Sequence, residues 1–147
     1  MNTGGVWENV EVLESASRYW DGFACSPENA AKARRAVTRF ASMWLARTDL
    51  WDFELAVGEV LSNVVQHGRT YWIAVHCYLD DDRLVTEIQD YGEGFTLPQR
   101  FERPPQGALR GYGLFLMHTL LDELEFLDCG RHVRLVKKLS QSLPFQR

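Results

Sequence analysis

The clearest helical pattern of hydrophobic positions lies in residues 54–68, which carry the segment ELAVGEVLSNVVQHG. Apolar side chains spaced for one helix face are expected to pack against a sheet: Phe53, Val57, Val60, Leu61 and Val64. On the other side, Glu59 and Asn63 lie four residues apart and therefore stack, and His67 continues this polar line one turn later. The segment ends at Gly68, where a helix commonly finishes in a left-handed residue. We predict one amphipathic helix with a polar line along it.

An earlier helix is predicted from residue 26 to about Arg47. Ser26, Pro27 and Glu28 provide a capping hydroxyl, a proline that fits the first helical position and an acid at the positive end of the helix dipole. The positions expected to face inward follow a 4-3-4 spacing: Ala33, Val37, Phe40 and Trp44.

Several segments have the pattern of β-strands. Residues 1–25 mix apolar and polar positions without a helical period and predict one or two strands, the second over Arg18 to Ala24. Tyr71 to Leu79 alternates as a strand does, and Leu84 to Asp90 is the returning strand, with Asp90 on its buried side. A closing hairpin is predicted from Glu125–Leu127 and residues 131–139, joined by a turn at residues 128–130.

Two glycine motifs flank a long segment without periodicity. Asp90 to Phe95 form a D-x-G-x-G turn, in which glycines permit positive φ angles and a close approach to a flat ligand. Residues 96–110 carry three prolines, and such a segment inside a compact domain is typically functional, for instance a lid. Arg110 to Leu114 then open a helix, whose N-terminal amides suit an anion. Its inward positions are predicted to be Leu114, Met117, Leu121 and Leu124.

The order β, α, α, β, β, lid, α, β, β predicts an α/β (α+β) two-layer sandwich, with helices on one face of a mixed sheet. The length of 147 residues favours a single domain over residues 1–147, with residues 1–25 as an N-terminal strand region.

Composition narrows the function classes. A formal net charge of −4 argues against direct nucleic-acid binding, and no apolar run is long enough to cross a membrane. The N-terminus lacks the pattern of a signal peptide. Cys25, Cys77 and Cys129 have neither paired nor metal-like spacing and are typical of reduced residues. We therefore expect a cytoplasmic protein without a membrane segment.

The polar line of the central helix allows two interpretations. The Glu59 carboxylate can accept a proton, and the Asn63 oxygen can ligate a hard cation such as Mg²⁺. The same pair also fits an ordinary solvated helix face, so this pair alone leaves both interpretations open.

Three motifs in one order, E-x-x-x-N, D-x-G-x-G and G-x-G-L, resemble the GHKL ATPase and kinase superfamily of gyrase, Hsp90, histidine kinases and MutL. Within it, the chain is most similar to the bacterial serine-protein kinase anti-sigma factors of the partner-switching type. The likeness extends from about Phe23 to Lys138 and is carried by VGEVLSNVVQHG, IQDYGEGF and GYGLFLMHTLLDELEF. It implies a Bergerat-type ATP-binding fold with a mainly antiparallel sheet. The short chain favours the anti-sigma branch over gyrase-like, Hsp90-like and histidine kinase members, which need further segments.

The resemblance also implies roles for the motif residues. Glu59 would be the catalytic base, Asn63 would ligate Mg²⁺ that bridges the ATP phosphates, and Asp90 would accept a hydrogen bond from the adenine amino group. Gly92 and Gly94 would form the adenine-side turn. The phosphate-side segment would hold ATP through its backbone amides and an arginine that reaches the γ-phosphate: Arg110, Gly111, Tyr112, Gly113 and Leu114.

The chain departs from this family in its last hairpin. The usual G-T-x-V/I is here Gly130-Arg131-His132-Val133, so the adenine-side hydroxyl is missing. Two outcomes are open: nucleotide binding is weaker than usual, or the missing contact is supplied differently.

The resemblance implies an ATP-dependent serine-protein kinase and anti-sigma factor that binds a sigma factor and phosphorylates a STAS-type anti-sigma-factor antagonist. Two alternatives are a kinase-inactive module that binds ATP only to dock a partner, and a switch kinase that acts on a stress-signalling scaffold. The intact Glu59 favours an enzyme over the inactive module. A basic face on the first helix suits either plain solvation or docking: Lys32, Arg35 and Arg39.

We also expect a homodimer. Residues 1–25 carry more apolar side chains than an exposed sheet edge normally tolerates: Trp7, Val10, Val12, Leu13, Tyr19, Trp20 and Phe23. Pairing through this region and the start of the first helix would cover them. A monomer with an ordinary edge strand is the alternative.

Overall fold

The computed structural model describes residues 9–92 and 117–139. These residues form six strands and two long helices, and a short helical segment at residues 117–120 comes before the last two strands. In chain order the elements are β1 (Asn9–Glu14), β2 (Arg18–Ala24), α1 (Pro27–Ala41), α2 (Arg47–His67), β3 (Trp72–Asp80), β4 (Arg83–Asp90), β5 (Glu123–Leu127) and β6 (His132–Lys138).

The strands form one sheet in the order β1-β2-β3-β4-β6-β5. Every described pairing is antiparallel, in agreement with the mainly antiparallel sheet that we expected, although the expected sheet was mixed. The reason is that β6 lies between β4 and β5, which run in the same direction and are therefore not neighbours. β1 is an edge strand of this sheet.

One face of the sheet packs against α1 and α2, which confirms the two-layer α+β fold. Alternation along β3 buries Ile73, Val75 and Cys77. The helices bury their predicted apolar faces over these strands: Ala33, Val37 and Phe40 from α1, and Phe53, Val57, Val60, Leu61 and Val64 from α2. Among the described helices, none is both long and apolar enough for a membrane span.

The predicted start of α1 is confirmed, but its predicted end is wrong. The Ser26 hydroxyl accepts a hydrogen bond from the Asn29 backbone N–H at 3.0 Å, as a helix cap does. The helix ends at Ala41 and not near Arg47. Residues 42–45 form a turn in which Leu45 is buried and donates its N–H to the Ala41 carbonyl at 3.0 Å. Buried residues therefore continue past the end of the helix. Because the prediction relied on the spacing of apolar residues alone, it placed the helix end too late.

The central helix starts earlier than expected and ends differently. It begins at Arg47 and not at Glu54, and it runs for 21 residues to His67. Gly68 is right-handed, with φ −74° and ψ −24°, and the left-handed residue is Arg69, with φ 50°. A glycine is needed here because there is no room for a side chain: a Cβ at Gly68 would lie 2.8 Å from the Val64 carbonyl oxygen.

The C-terminal part also differs from the prediction in detail. Met117 and Leu121 are buried as expected, but β5 begins at Glu123, so Leu124 belongs to this strand and not to the helix before it. The turn from Asp128 to Gly130 has three consecutive positive φ angles, 51°, 56° and 84°. This turn joins β5 to β6 and lies beside the end of β4.

Candidate functional site

Asp90 is the last residue of β4, on the sheet face that packs against the helices, and it is only 2% exposed. Its Oδ1 accepts a hydrogen bond from the Gly92 N–H at 2.8 Å. Its Oδ2 is buried and has no hydrogen-bond partner among the described residues. Burial raises the pKa of Asp90, although the Gly92 amide and the Arg131 charge oppose this rise. A buried acceptor without a partner is rare in native structures, so this oxygen suits a donor from a ligand.

Two glycines make room beside this carboxylate. A Cβ on Gly92 would overlap the carbonyl oxygen of Gly68 and would lie 2.8 Å from that of Arg69. A Cβ on Gly68 would also contact the Asp90 Oδ2, at 3.5 Å. The Gly92 backbone is not in the left-handed region, so the predicted need for a positive φ is wrong at this position. What the site requires is close contact between the end of α2 and the turn after β4.

A threonine fastens the α2–β3 loop to the same turn. The Tyr91 N–H donates to the Thr70 Oγ1 at 3.1 Å, and the Thr70 hydroxyl donates to the Trp72 carbonyl at 2.8 Å. The floor of the candidate site is therefore built from two connected loops.

Glu59 and Asn63 lie on α2 as predicted, one turn apart, and both are partly exposed. Within the described ranges, neither side chain makes a hydrogen bond or an ion pair. Asn63 precedes Gly68 by five residues, which is about 7.5 Å along a helix axis. Glu59 also lines a groove of about 440 Å³ between α1 and α2, with Arg34, Glu54 and Gly58 among its neighbours there.

The structure thus brings Asp90 and Gly92 to the C-terminal end of the helix that carries Glu59 and Asn63. The remaining predicted site residues lie outside the described residues: Gly94, Arg110, Gly111, Tyr112, Gly113 and Leu114. The lid predicted over residues 96–110 lies there too.

Sequence reasoning gave no role to Arg131, which the structure places beside Asp90. Its backbone carbonyl accepts a hydrogen bond from the Asp90 N–H at 2.8 Å, and its Nη1 lies 3.5 Å from the Gly92 carbonyl oxygen. Its Nε and Nη2 donate to the two carboxylate oxygens of Asp128, at 3.2 and 3.0 Å. His132 instead pairs with Glu87 at 2.8 Å. Arg131 is therefore the residue of the last hairpin that lies beside Asp90 and Gly92, and its signal in the sequence was the missing threonine.

Comparison with known proteins adds the evolutionary context. Residues 23–137 match the family model described as "Histidine kinase-like ATPase domain". The chain belongs to this histidine kinase-like ATPase family. The match covers α1, α2 and all strands from β3 to β5, together with most of β6.

Relatives of this histidine kinase-like ATPase chain carry names that agree with the predicted resemblance. Serine-protein kinase RsbW of Bacillus pumilus is 32% identical, over 91% of this chain and 90% of that protein. Serine-protein kinase RsbW of Bacillus licheniformis is 29% identical, over 78% and 81%. Anti-sigma F factor of Oceanobacillus iheyensis is 28% identical, over 82% and 91%. These relatives confirm the resemblance to the serine-protein kinase anti-sigma factors.

A histidine kinase-like ATPase domain binds ATP, and the surroundings of Asp90 fit the base end of that nucleotide. The buried Oδ2, which has no partner in the described part of the chain, is able to accept a hydrogen bond from an amino group, and Gly68 and Gly92 keep side chains out of the space next to it.

Proposed function

We propose that this protein is an ATP-dependent serine-protein kinase and anti-sigma factor, which binds a sigma factor and phosphorylates an anti-sigma-factor antagonist. One structural observation carries the proposal: beside the end of the helix that bears Glu59 and Asn63, the Asp90 Oδ2 is buried and has no partner within residues 9–92 and 117–139. The names of the relatives, serine-protein kinase RsbW and anti-sigma F factor, supply the reaction and the partner classes.

Asp90 recognises the base in this proposal. An ionised carboxylate only accepts hydrogen bonds, so it pairs with the amino group of adenine. Gly92 and Gly94 would form the turn on which the base lies. The Gly92 amide fixes the carboxylate through Oδ1 and leaves Oδ2 for the ligand.

Asn63 holds Mg²⁺ on the phosphate side. Its side-chain oxygen is a hard ligand, and Mg²⁺ is usually bound by one or two protein oxygens together with phosphates and water. Within the described part of the chain, no group of three or more acidic, histidine or cysteine residues forms a metal site by itself. A single amide ligand that depends on bound phosphates is compatible with that.

Glu59 is the proposed catalytic base. Bound ATP supplies the phosphoryl group, and the Glu59 carboxylate takes the proton from the attacking serine hydroxyl. Its position one turn from Asn63 brings the proton acceptor near the metal ligand. For phosphoryl transfer, positioning and charge neutralisation provide most of the rate enhancement, so this set of groups is sufficient in kind.

The phosphate-side residues complete the proposed site. Arg110, Gly111 and Gly113 would hold the phosphates through the guanidinium and the backbone amides, with Tyr112 and Leu114 in the same segment. Residues 96–110 would form the lid, within a single kinase domain over residues 1–147.

The partners are a sigma factor and a STAS-type antagonist, and a second copy of the chain. Lys32, Arg35 and Arg39 are exposed on α1, which supports a docking role for this basic face. The edge position of β1 supports a homodimer through the N-terminal region.

The decisive experiment is a pull-down from the source cell with either ATP or ADP, followed by phosphorylation of the recovered antagonist with radiolabelled ATP. Recovery of a sigma factor, and transfer to a serine of the antagonist, is the expected result. ATP binding without transfer to any recovered protein would favour the inactive module, and transfer to a scaffold without sigma binding would favour the switch kinase.

A further inference from the structure

Arg131 connects two turns at the base end of the site. Through Nε and Nη2 it forms a two-pronged contact with Asp128, and through Nη1 it reaches the Gly92 carbonyl oxygen at 3.5 Å. A guanidinium is planar and has a rigid set of donors, so it fixes the relative position of the groups it bridges. Arg131 therefore links the β5–β6 turn to the turn that follows β4.

The backbone of the same residue strengthens this link. The Asp90 N–H donates to the Arg131 carbonyl at 2.8 Å, so the residue contacts both Asp90 and Gly92. The positive charge of Arg131 also lowers the pKa of Asp90 and opposes the effect of burial. Both contacts favour an ionised Asp90 in one fixed position.

Asp128 is itself held in an unfavourable conformation. It and Cys129 have φ angles of 51° and 56°, in the left-handed region that residues other than glycine rarely adopt. The Arg131 backbone N–H donates to the Asp128 carbonyl at 3.0 Å, and the side-chain fork adds two further bonds. A turn held in this way gives Arg131 a fixed support.

We propose that Arg131 is a positioning residue for nucleobase recognition: together with Asp128, it holds the Asp90–Gly92 turn so that the Asp90 carboxylate selects a base with an amino group. In this role the guanidinium replaces the hydroxyl that the last hairpin lacks. The inference rests on the proposed ATP site and adds the device by which this chain selects its base.

Comparison of ATP with ITP isolates this role, because hypoxanthine has a carbonyl oxygen in the place of the adenine amino group. A well-positioned carboxylate accepts from the amino group but faces the carbonyl oxygen as another acceptor. A residue that only stabilises the fold would change the affinity for both nucleotides equally. A positioning residue would change the ratio of the two affinities.

The experiment measures the Kd of Mg·ATP and Mg·ITP by calorimetry for wild type, Arg131→Gln, Arg131→Lys, Arg131→Thr and Asp128→Asn. We expect wild type to prefer ATP and Arg131→Gln to lose about 10-fold of that preference, since a displaced hydrogen bond is worth on the order of one decade. Lysine keeps the positive charge but lacks the planar set of guanidinium donors, so Arg131→Lys should also lose part of the preference for ATP over ITP. Arg131→Thr supplies a hydroxyl and should therefore keep part of the ATP preference that Arg131→Gln loses.

Arg83→Gln is the matched control. Arg83 also pairs with an aspartate three residues before it, Asp80, at 2.8 Å, and bonds Glu123 at 3.1 Å, but it lies at the opposite end of β4. The Arg83→Gln variant should leave the affinities for Mg·ATP and Mg·ITP unchanged. Thermal unfolding of each variant without nucleotide identifies any that fail to fold.

The outcomes separate the two proposals. Absence of ATP binding in wild type would overturn the ATP site and this inference together. ATP binding with an unchanged ATP-to-ITP ratio in Arg131→Gln and Arg131→Lys would overturn the role of Arg131 alone.

Discussion

Asp21 and Asp90 form a natural pair for separating stability from binding. Both are 2% exposed on the helix-facing side of the sheet, and each has one buried carboxylate oxygen without a partner among the described residues. Asp21 accepts a hydrogen bond from the Tyr19 hydroxyl at 3.1 Å through its other oxygen. Burial raises the pKa of both carboxyls in the folded state. Each therefore favours folding in its protonated form, and this contribution is lost as the pH rises through the folded-state pKa.

The first prediction concerns Asp90→Asn. At neutral pH the variant should unfold at a higher temperature, with a gain on the order of 1 kcal/mol, because an uncharged amide is less costly to bury than a carboxylate. The gain should shrink as the pH falls through the folded-state pKa, where wild-type Asp90 becomes protonated. The same variant should bind Mg·ATP about 10-fold more weakly, since it loses the acceptor for the amino group.

Asp21→Asn is the control for that variant. It should show the same pH-dependent gain in stability but no change in the Kd of ATP. Equal ATP affinity in Asp90→Asn and wild type, by calorimetry, would remove Asp90 from the base site.

Asn63→Ala gives the second prediction. Its ATP affinity should fall when magnesium is present and change little in EDTA, because the amide oxygen acts through the metal. Calorimetry under both conditions makes each protein its own control. An equal loss with and without magnesium would contradict the role as a metal ligand.

The third prediction is that Glu59→Gln binds ATP normally but transfers phosphate about 10²–10⁴ times more slowly, the usual effect of losing a positioned base. Glu54→Gln is the control on the same helix, since the contact of Glu54 seen among the described residues is a long surface pair with Arg34, at 3.9 Å. Phosphate transfer to the antagonist is followed with radiolabelled ATP. Full activity in Glu59→Gln would exclude the base role.

Sequence could locate some of these residues but not others. Alternation along β4 predicted that Asp90 is buried, and its 2% exposure confirms this. The contact of Arg131 with Gly92 could not be predicted, because it depends on the distance between two turns that lie almost 40 residues apart in the chain. The sequence pointed to Gly92 because a positive φ was expected there, but the glycine is needed because the Gly68 and Arg69 carbonyl groups lie close to it. Periodicity and turn preference carry no information about such a contact between distant parts of the backbone.

At the scale of elements, the contact between the end of α2 and the turn after β4 leads to the fourth prediction. Gly92→Ala should lower the free energy of unfolding by about 1–3 kcal/mol, the usual cost of overpacking, because its Cβ would overlap the Gly68 carbonyl. Gly58→Ala, in the middle of α2, should instead stabilise by about 0.5–1 kcal/mol through helix propensity. Among the residues with described positions, a Cβ on Gly58 would meet the flexible Arg34 side chain alone, at 3.0 Å.

Denaturant unfolding of both variants gives these values. A stable Gly92→Ala protein with unchanged ATP affinity would show that the two backbones can separate without loss.

Helix bounds show what periodicity can and cannot predict. The buried faces of α1 and α2 were predicted correctly, because burial repeats with the helical period. The boundary between the helices was not, because Leu45 is buried in a turn and Arg47 to Phe53 carry neither glycine nor proline to mark a helix start. Side chains specify which face is covered, whereas hydrogen bonds of the backbone decide where a helix ends.

At the scale of the whole molecule, β1 is an edge strand, and the fifth prediction is a homodimer through this region. Light scattering at tens of micromolar protein should give twice the chain mass, with or without nucleotide. A monomer mass under both conditions would contradict the dimer. A dilution series provides the control, because a specific C2 dimer dissociates at a defined concentration.

The layered α+β architecture could be predicted from element order, but the position of β6 between β4 and β5 could not. Local patterns define strands and their buried sides, while the order of strands depends on contacts between distant segments.

The touching backbones at Gly68 and Gly92 have a mechanical consequence. Side chains can yield by changing rotamer, but here a carbonyl group and a main-chain carbon are in direct contact, and no compliant group lies between them. A shift of the turn that contains Gly92 would therefore move the last turn of α2 directly. Glu59 and Asn63, the proposed proton acceptor and metal ligand, lie on that same helix. In the proposed site, the fit of the base at one end would therefore set the alignment of the reacting groups at the other.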